Sequence, residues 1–593
     1  MNNITRRNFL KDLGILGTVG TVCPAAMASL DNAEVAQTSA AMTNVGGPGS
    51  HAASLQYILD IVHNNPGEPL FITKYNQTAF LKSWGYTGQC PKFFLQSAIT
   101  YDRFDPTLMP EGSQPRAWSV KMGTFIDGRL DEAKASGMPV YPFTDMLVVP
   151  KTLLDKYGDQ MRIKKRLSIL QPMTQKVARE QLAEIFDRFP GLAGITTRFG
   201  ETYLQDTPYH AGGSPVSTIE EHTAFIQLLR DEICVKRNKV LIYRTWSWGG
   251  IELHTNPASY LSVTNAIEPH PNLFFSIKHA NADFIRGVPF NETLGIGNHR
   301  QIVEVSSNQG GLYGKNSHPY YIGQGVIEGW EEMEHKKGLR DLIGSTQLAG
   351  VWTWSRGDGW GGPYITNEFW VDLNEYVISH FGQEPWRTEE DLFDEYARAR
   401  LKLDAGQTAK FRELCLVATS ATFHGQQSSL FTVCPWWCND VAVWWCRDQY
   451  LTAPNLDIVV AQGLVKDVLA EKAKAVADWK HVEALSHEIQ LSNPADQEFL
   501  EVSSTYGRIK IAIMGQIWTM QLLAAQEKAD GKLDVAAMKQ AIGNYDRLWN
   551  EWHQLKQAHS CCPTLYKDDV VVAHGPPPFK SALDEYRKKV SQA

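Results

Sequence analysis

The sequence predicts an α/β chain in which a (β/α)8 TIM barrel is followed by an all-α C-terminal domain. Three observations predict it. Between about 55 and 385, eight short apolar runs alternate with helical patterns. No Gly-rich dinucleotide or phosphate loop follows the first run, which argues against an open doubly wound sheet. Beyond 385 the apolar period becomes that of a helix and strand signal almost vanishes. At 593 residues the chain exceeds one ordinary domain, so a barrel plus one further domain is expected.

In chain order, residues 1–28 read as an export signal. Thr5-Arg6-Arg7-Asn8-Phe9-Leu10-Lys11 has the form of a bacterial twin-arginine motif; an apolar stretch at 13–22 and Ala26-Met27-Ala28, a small-x-small cleavage site, follow. The expected location is therefore the periplasm or cell surface. Residues 29–54, rich in Ala, Ser, Thr, Asn and Gly, read as a linker. The barrel is expected over 55–385, with strands at 70–73, 93–96, 140–143, 192–196, 240–243, 273–277, 302–305 and 348–352. Amphipathic helices are expected between them at 176–189 and 219–236. The α-helical domain is expected over 386–593, with helices at 389–402, 464–489, 496–528 and 535–557. Its Trp-rich stretch at 435–445 is expected to pack the two domains together.

Composition narrows the function classes. Hydrophobic residues at 43% and charged residues at 21% describe an ordinary globular chain. A net charge of −8 without a concentrated basic face excludes a nucleic-acid footprint. Beyond the signal no stretch approaches the ~20 apolar residues of a membrane span. Nine cysteines in a chain this long make no disulfide scaffold. Cys434, Cys438 and Cys446 cluster without a histidine at any zinc-site spacing, so no metal and no cofactor are expected. Eighteen tryptophans are mostly core filling, although flat aromatic faces also suit sugar C–H faces.

In barrel enzymes the functional residues sit at the carboxyl ends of strands. The fourth strand runs into Arg198, Gly200 and Glu201; the fifth into Arg244, Trp246 and Trp248; the sixth into Lys278, with Asp283 five residues on. Glu304 lies within the seventh, and the eighth runs into Trp354, Arg356 and Asp358. Glycoside hydrolysis needs two carboxyls, one to protonate the leaving oxygen and one to activate water or attack. Cations beside such a pair point to an anionic sugar, because arginine binds a carboxylate bidentately. Arg244 and Lys278 are expected within reach of one ligand carboxylate, with Trp246 or Trp354 as a stacking face. The alternative is that Glu304 and Asp358 neutralise the cations internally, leaving a site for a neutral sugar.

Segments 190–250 and 270–330 resemble the catalytic barrel of the α-glucuronidase family that removes glucuronic acid from xylan. The matching residues are Phe199-Gly200-Glu201, Tyr243-Arg244-Thr245, Lys278 to Asp283-Phe284 with Arg286, and Val303-Glu304-Val305. Asp394-Glu395-Tyr396-Ala397-Arg398 is similar to the family's first C-terminal helix. The resemblance, distant and covering about half of the chain in patches, implies metal-free inverting hydrolysis with Glu201 as general acid and Asp283 as base. It also implies that Arg198, Arg244 and Lys278 hold the uronate and its hydroxyls. At the place of the family's second basic carboxylate this chain has Gly310. That departure motivates a second reading, a non-catalytic acidic-glycan-binding protein on the same barrel, and the twin-arginine signal, a route for folded proteins, keeps a carbohydrate lyase as a third. The expected partner is a uronate-containing carbohydrate, with a homodimer admitted and no nucleic acid.

Overall fold

The computed structural model describes residues 53–63, 72–199, 204, 207–246, 252–281, 284, 286, 288–307, 319–331, 333, 336–357, 367–430, 453–562 and 579–592. The export segment, Glu201, Asp283, Gly310, Asp358 and the Cys- and Trp-rich stretch at 434–446 lie outside these residues.

The strands of the main sheet are β1 (Tyr57–His63), β2 (Gly88–Gln89), β3 (Phe143–Asp145), β4 (Gly194–Arg198), β5 (Val240–Arg244), β6 (Leu273–Lys278), β7 (Arg300–Ser306) and β8 (Leu348–Gly357). Their order is β2-β1-β8-β7-β6-β5-β4-β3, and every neighbouring pair is parallel. The sheet is curled, and its two outer strands meet. Gln89 and Val140 form an isolated parallel bridge, as do Lys92 and Phe143. The Gln89 N–H donates to Pro139 O at 3.0 Å and the Tyr141 N–H to Gln89 O at 2.9 Å.

Strands covered on both faces read as continuous apolar runs, and five of the eight expected strands overlap the observed ones closely. The first does not. Residues 70–71 are outside the described set, and Thr73 caps a short 3-10 turn at Lys74–Asn76. The strand lies earlier, in Tyr-Ile-Leu-Asp-Ile-Val-His, where Asp60 and His63 interrupt the apolar run. Asp60 is buried because Thr353 Oγ1, the Ser355 N–H and Ser355 Oγ all donate to it, at 2.9, 3.1 and 2.9 Å. The second expected strand is displaced likewise, since Leu95–Ser97 forms a 3-10 turn.

The concave side of the sheet is filled by Tyr57, Tyr141 and Phe274 at the amino ends of the strands and by Phe143 against Trp352 above them. On the convex side lie α1 (Gln114–Ala135), α2 (Pro172–Arg188), α3 (Ile219–Leu229, continued by a π turn at Arg230–Val235) and α4 (Phe369–Gln383). Gly382 of α4 sits so close to Ile58 that a Cβ would stand 2.8 Å from its side chain. Nearer the middle of α4, Glu375 accepts from Tyr86 and Ser307 and faces Asp60. Burial and then mutual repulsion push Asp60 well above the carboxylate range, and burial raises Glu375 as well.

After α4 every described element is helical, with α5 (Glu389–Ala399), α6 (Ala405–Gln426), α7 (Val465–Glu488), α8 (Pro494–Asp530) and α9 (Val535–Ala558) the main ones. The chain starts most of these where a side chain meets the free N–H groups of the first turn. Thr388, Asp404, Asn493 and Asp534 each accept from a backbone N–H two or three residues on. Trp479 and Trp552, both fully buried, centre their packing. No described helix is long and apolar enough to cross a membrane.

Candidate functional site

Side chains alternate along a strand, so every second residue of each strand points to the concave side. At the carboxyl ends this places His63, Arg198, Arg244, Lys278, Glu304, Ser306 and Trp354 on one face. All are buried.

Arg198, the last residue of β4, donates from Nε to one oxygen of Asp145 and from Nη2 to the other at 2.6 Å. Asp145 ends β3, beside it in register. The expected third strand stops at Phe143, so Asp145 was not anticipated as the partner. Arg244, at the end of β5, donates from Nε and Nη2 to the two oxygens of Glu304 at 2.8 and 2.7 Å. Both pairs are almost fully buried, a setting in which charges persist only when matched in geometry and hydrogen bonds. The pair matches the alternative in which Glu304 neutralises a cation internally, since Glu304 reaches Arg244 across the concave side from β7. The guanidinium carbons of Arg198 and Arg244 also lie 5.0 and 5.5 Å from the Phe143 ring centroid, and that of Arg244 lies 5.4 Å from Trp354.

Lys278 ends β6 and is the Cα partner of Glu304 in the ladder. Its Nζ stands 3.6 Å from the Trp246 ring centroid and 4.9 Å from that of Phe284, a cation–π cradle. Beside it, His279 stacks on Phe284 and its Nε2 lies 3.1 Å from Tyr321 Oη. Burial is the main reason its pKa falls to about 3. Arg286, buried beyond β6, lies over Trp330 at 4.5 Å and over Phe423 of α6 at 5.6 Å, which brings the helical part of the chain to this face.

A second residue missed, after Asp145, is His63. It ends β1, with its ring centroid 5.0 Å from Trp354 and 6.1 Å from Phe143. Burial lowers its pKa well below the usual range, and Lys92, Arg198 and Arg244 add to the effect. The only signal was a histidine three residues after Asp60 in a run too polar to read as a buried strand. The structure thus brings together Arg198, Arg244, Lys278, Trp246, Glu304 and Trp354 of the expected set and adds Asp145 and His63; the expected catalytic pair, Glu201 and Asp283, lies outside the described residues. Among the described residues, no group of three His, Cys, Asp or Glu side chains is arranged to hold a metal ion.

No family model and no curated protein sequence matches the chain. Among solved structures it is similar to a GH138 enzyme targeting pectin rhamnogalacturonan II, with TM-score 0.55 and 10% identity over 92% of this chain and 84% of that one. Dispersin B matches with TM-score 0.34 and 9% identity over 56% of this chain and 99% of its own. The first likeness shows a shared fold across nearly the whole chain.

Proposed function

We propose that the curled sheet is a closed (β/α)8 barrel, followed from about 386 by a helical domain, and that the protein hydrolyses a glycosidic bond to an acidic sugar. The observation that carries the reading is the carboxyl-end face itself. Two bidentate Arg–carboxylate pairs and Lys278 are buried there among Trp246, Phe284 and Trp354. Ionisable groups concentrated with flat aromatic rings at strand ends are what a sugar site requires. The fold shared with a carbohydrate enzyme supports the same reading.

In this proposal Glu201, three residues beyond Arg198, donates its proton to the leaving oxygen. Asp283, five residues beyond Lys278, takes a proton from the water that attacks the anomeric carbon. The product sugar has inverted configuration, and both carboxyls return to their starting states by exchange with solvent. Arg198, Arg244 and Lys278 supply the positive charge for the uronate, and the two arginines, after burial and Lys92, also help to depress His63. Export through the twin-arginine motif at Arg6-Arg7 belongs to the same reading, because polymeric glycans lie outside the cytoplasm.

A second reading, a neutral sugar on this face, draws on the Arg244–Glu304 pair, which occupies one cation internally. Purified protein is assayed against uronate-bearing and neutral oligosaccharides, and free glucuronate, galacturonate and glucose are titrated by calorimetry. The proposal expects hydrolysis of a uronate substrate, loss of turnover by at least about 100-fold in Glu201→Gln with unchanged Tm, and binding of a uronate in preference to glucose. Equal binding of glucose and both uronates overturns the acidic-sugar reading. Near wild-type turnover in Glu201→Gln overturns the assignment of the acid. Binding without any product points to a glycan-binding protein, and an unsaturated product to a lyase.

A further inference from the structure

Three buried side chains of the carboxyl-end face hold polar atoms that have no hydrogen-bond partner among the described residues. His63 is 3% exposed, and neither ring nitrogen is bonded. The Ser306 hydroxyl at the end of β7 and the Trp354 indole N–H on β8 are also unmet. These residues adjoin one another. The His63 and Trp354 rings are 5.0 Å apart, and Ser306 and Trp354 are Cα partners in the ladder. Ser306 follows Glu304 by two residues and so faces the same side, where Glu304 meets Arg244. Buried polar atoms in folded proteins are nearly always paired, so three unmet side chains side by side mark a place where a polar group binds.

The chemistry of that group follows from the imidazole. Burial and the surrounding cations keep His63 neutral, and a neutral imidazole presents one N–H donor and one lone pair. A carboxylate only accepts and an ammonium only donates, whereas a hydroxyl does both. The Trp354 ring beside the histidine is flat and apolar, the kind of surface that suits the C–H side of a pyranose. We propose that His63 hydrogen-bonds a ring hydroxyl of the bound sugar above Trp354 and thereby sets which hydroxyl pattern the site accepts. This inference rests on the carbohydrate reading above. It assigns to His63 recognition of a hydroxyl, not of the uronate carboxylate and not a part in proton transfer.

The test uses the full-length protein, with glucuronate, galacturonate and the 2-, 3- and 4-deoxy derivatives of each as probes in calorimetric titrations. Wild type is expected to bind one monodeoxy derivative at least about tenfold more weakly than its parent, the size of effect that follows when one buried hydrogen bond is lost. In His63→Phe that one penalty falls below about threefold while discrimination against the other deoxy positions persists. The Tm of His63→Phe is expected to equal or exceed that of wild type, because the variant removes unmet polar atoms and keeps a flat ring. If His63→Phe retains the full pattern of discrimination, or loses several degrees of Tm, the residue is a packing histidine and the inference is wrong. If wild type binds the parent uronates but discriminates among no deoxy positions, the inference fails while the carbohydrate reading stands. If wild type binds none of the probes, the acidic-sugar reading falls and this inference with it.

Discussion

Arg244 and Glu304 hold each other in a place with almost no exposure to water, and each depends on the other's charge. Taking away one partner strands a buried ion, at a cost of about 3–5 kcal/mol, whereas exchanging both for apolar groups of similar volume is often neutral. Arg244→Met is therefore expected to lower the calorimetric Tm by several degrees, and Arg244→Met combined with Glu304→Leu to recover most of the loss. A single variant as stable as wild type would show that the pair is not desolvated in solution. The arginine and the glutamate were both legible as candidates in the sequence, from their places at strand ends. Their pairing was legible only as an alternative, that Glu304 neutralises a cation internally, because residues on β5 and β7 become neighbours only through the curl of the sheet. Asp60 shows the same limit from the other side. An aspartate in the middle of an apolar run argued against a strand, and the donors that make it tolerable, Thr353 and Ser355, lie at the far end of the sheet-forming part of the chain. With β1 misplaced, His63 at its end went unseen.

Elements were most legible where one physical rule governs them. The long helices after 386 follow the 3.6-residue period, and four of them, α5, α7, α8 and α9, were foreseen, most within about two residues at either end. Helix α6 was not, because its buried positions include Thr408, Thr419, Thr422 and Gln426, so the face it buries does not read as an apolar stripe in the sequence. The contact between β1 and α4 carries its own prediction. Asp60, Glu375 and Asp372 are all raised, chiefly by burial, with Asp372 brought up to about 6. A carboxyl whose pKa is higher folded than unfolded binds its proton more tightly in the native state. Its contribution to stability is thus present below the unfolded value, near pH 4, and is lost as pH rises through the folded value. Glu375→Gln removes one such group. Its Tm relative to wild type is expected to climb between about pH 4 and pH 7 and to level off above. A difference independent of pH would show that Glu375 is ionised throughout that range.

At the scale of the molecule, eight alternating runs announced the parallel sheet, and the order of its strands follows the order of the chain. What the alternation did not convey is how unequally the strands share the work. β8 pairs with β1 over seven residues and with β7 over six, whereas β2 pairs with β1 over two and reaches β3 only by isolated bridges. The curled sheet thus has a weak seam where β2 meets β3, and amide hydrogens along it should exchange with deuterium sooner than those in the long ladders. The Gln89 and Tyr141 amides are expected to lose protection well before Val303 and Val351, since opening there breaks few neighbouring bonds. Equal protection all round would mean that side-chain packing, and not the ladder, fastens β2. Lys92, which bridges to Phe143 at this same junction, also lends its charge to the setting of His63.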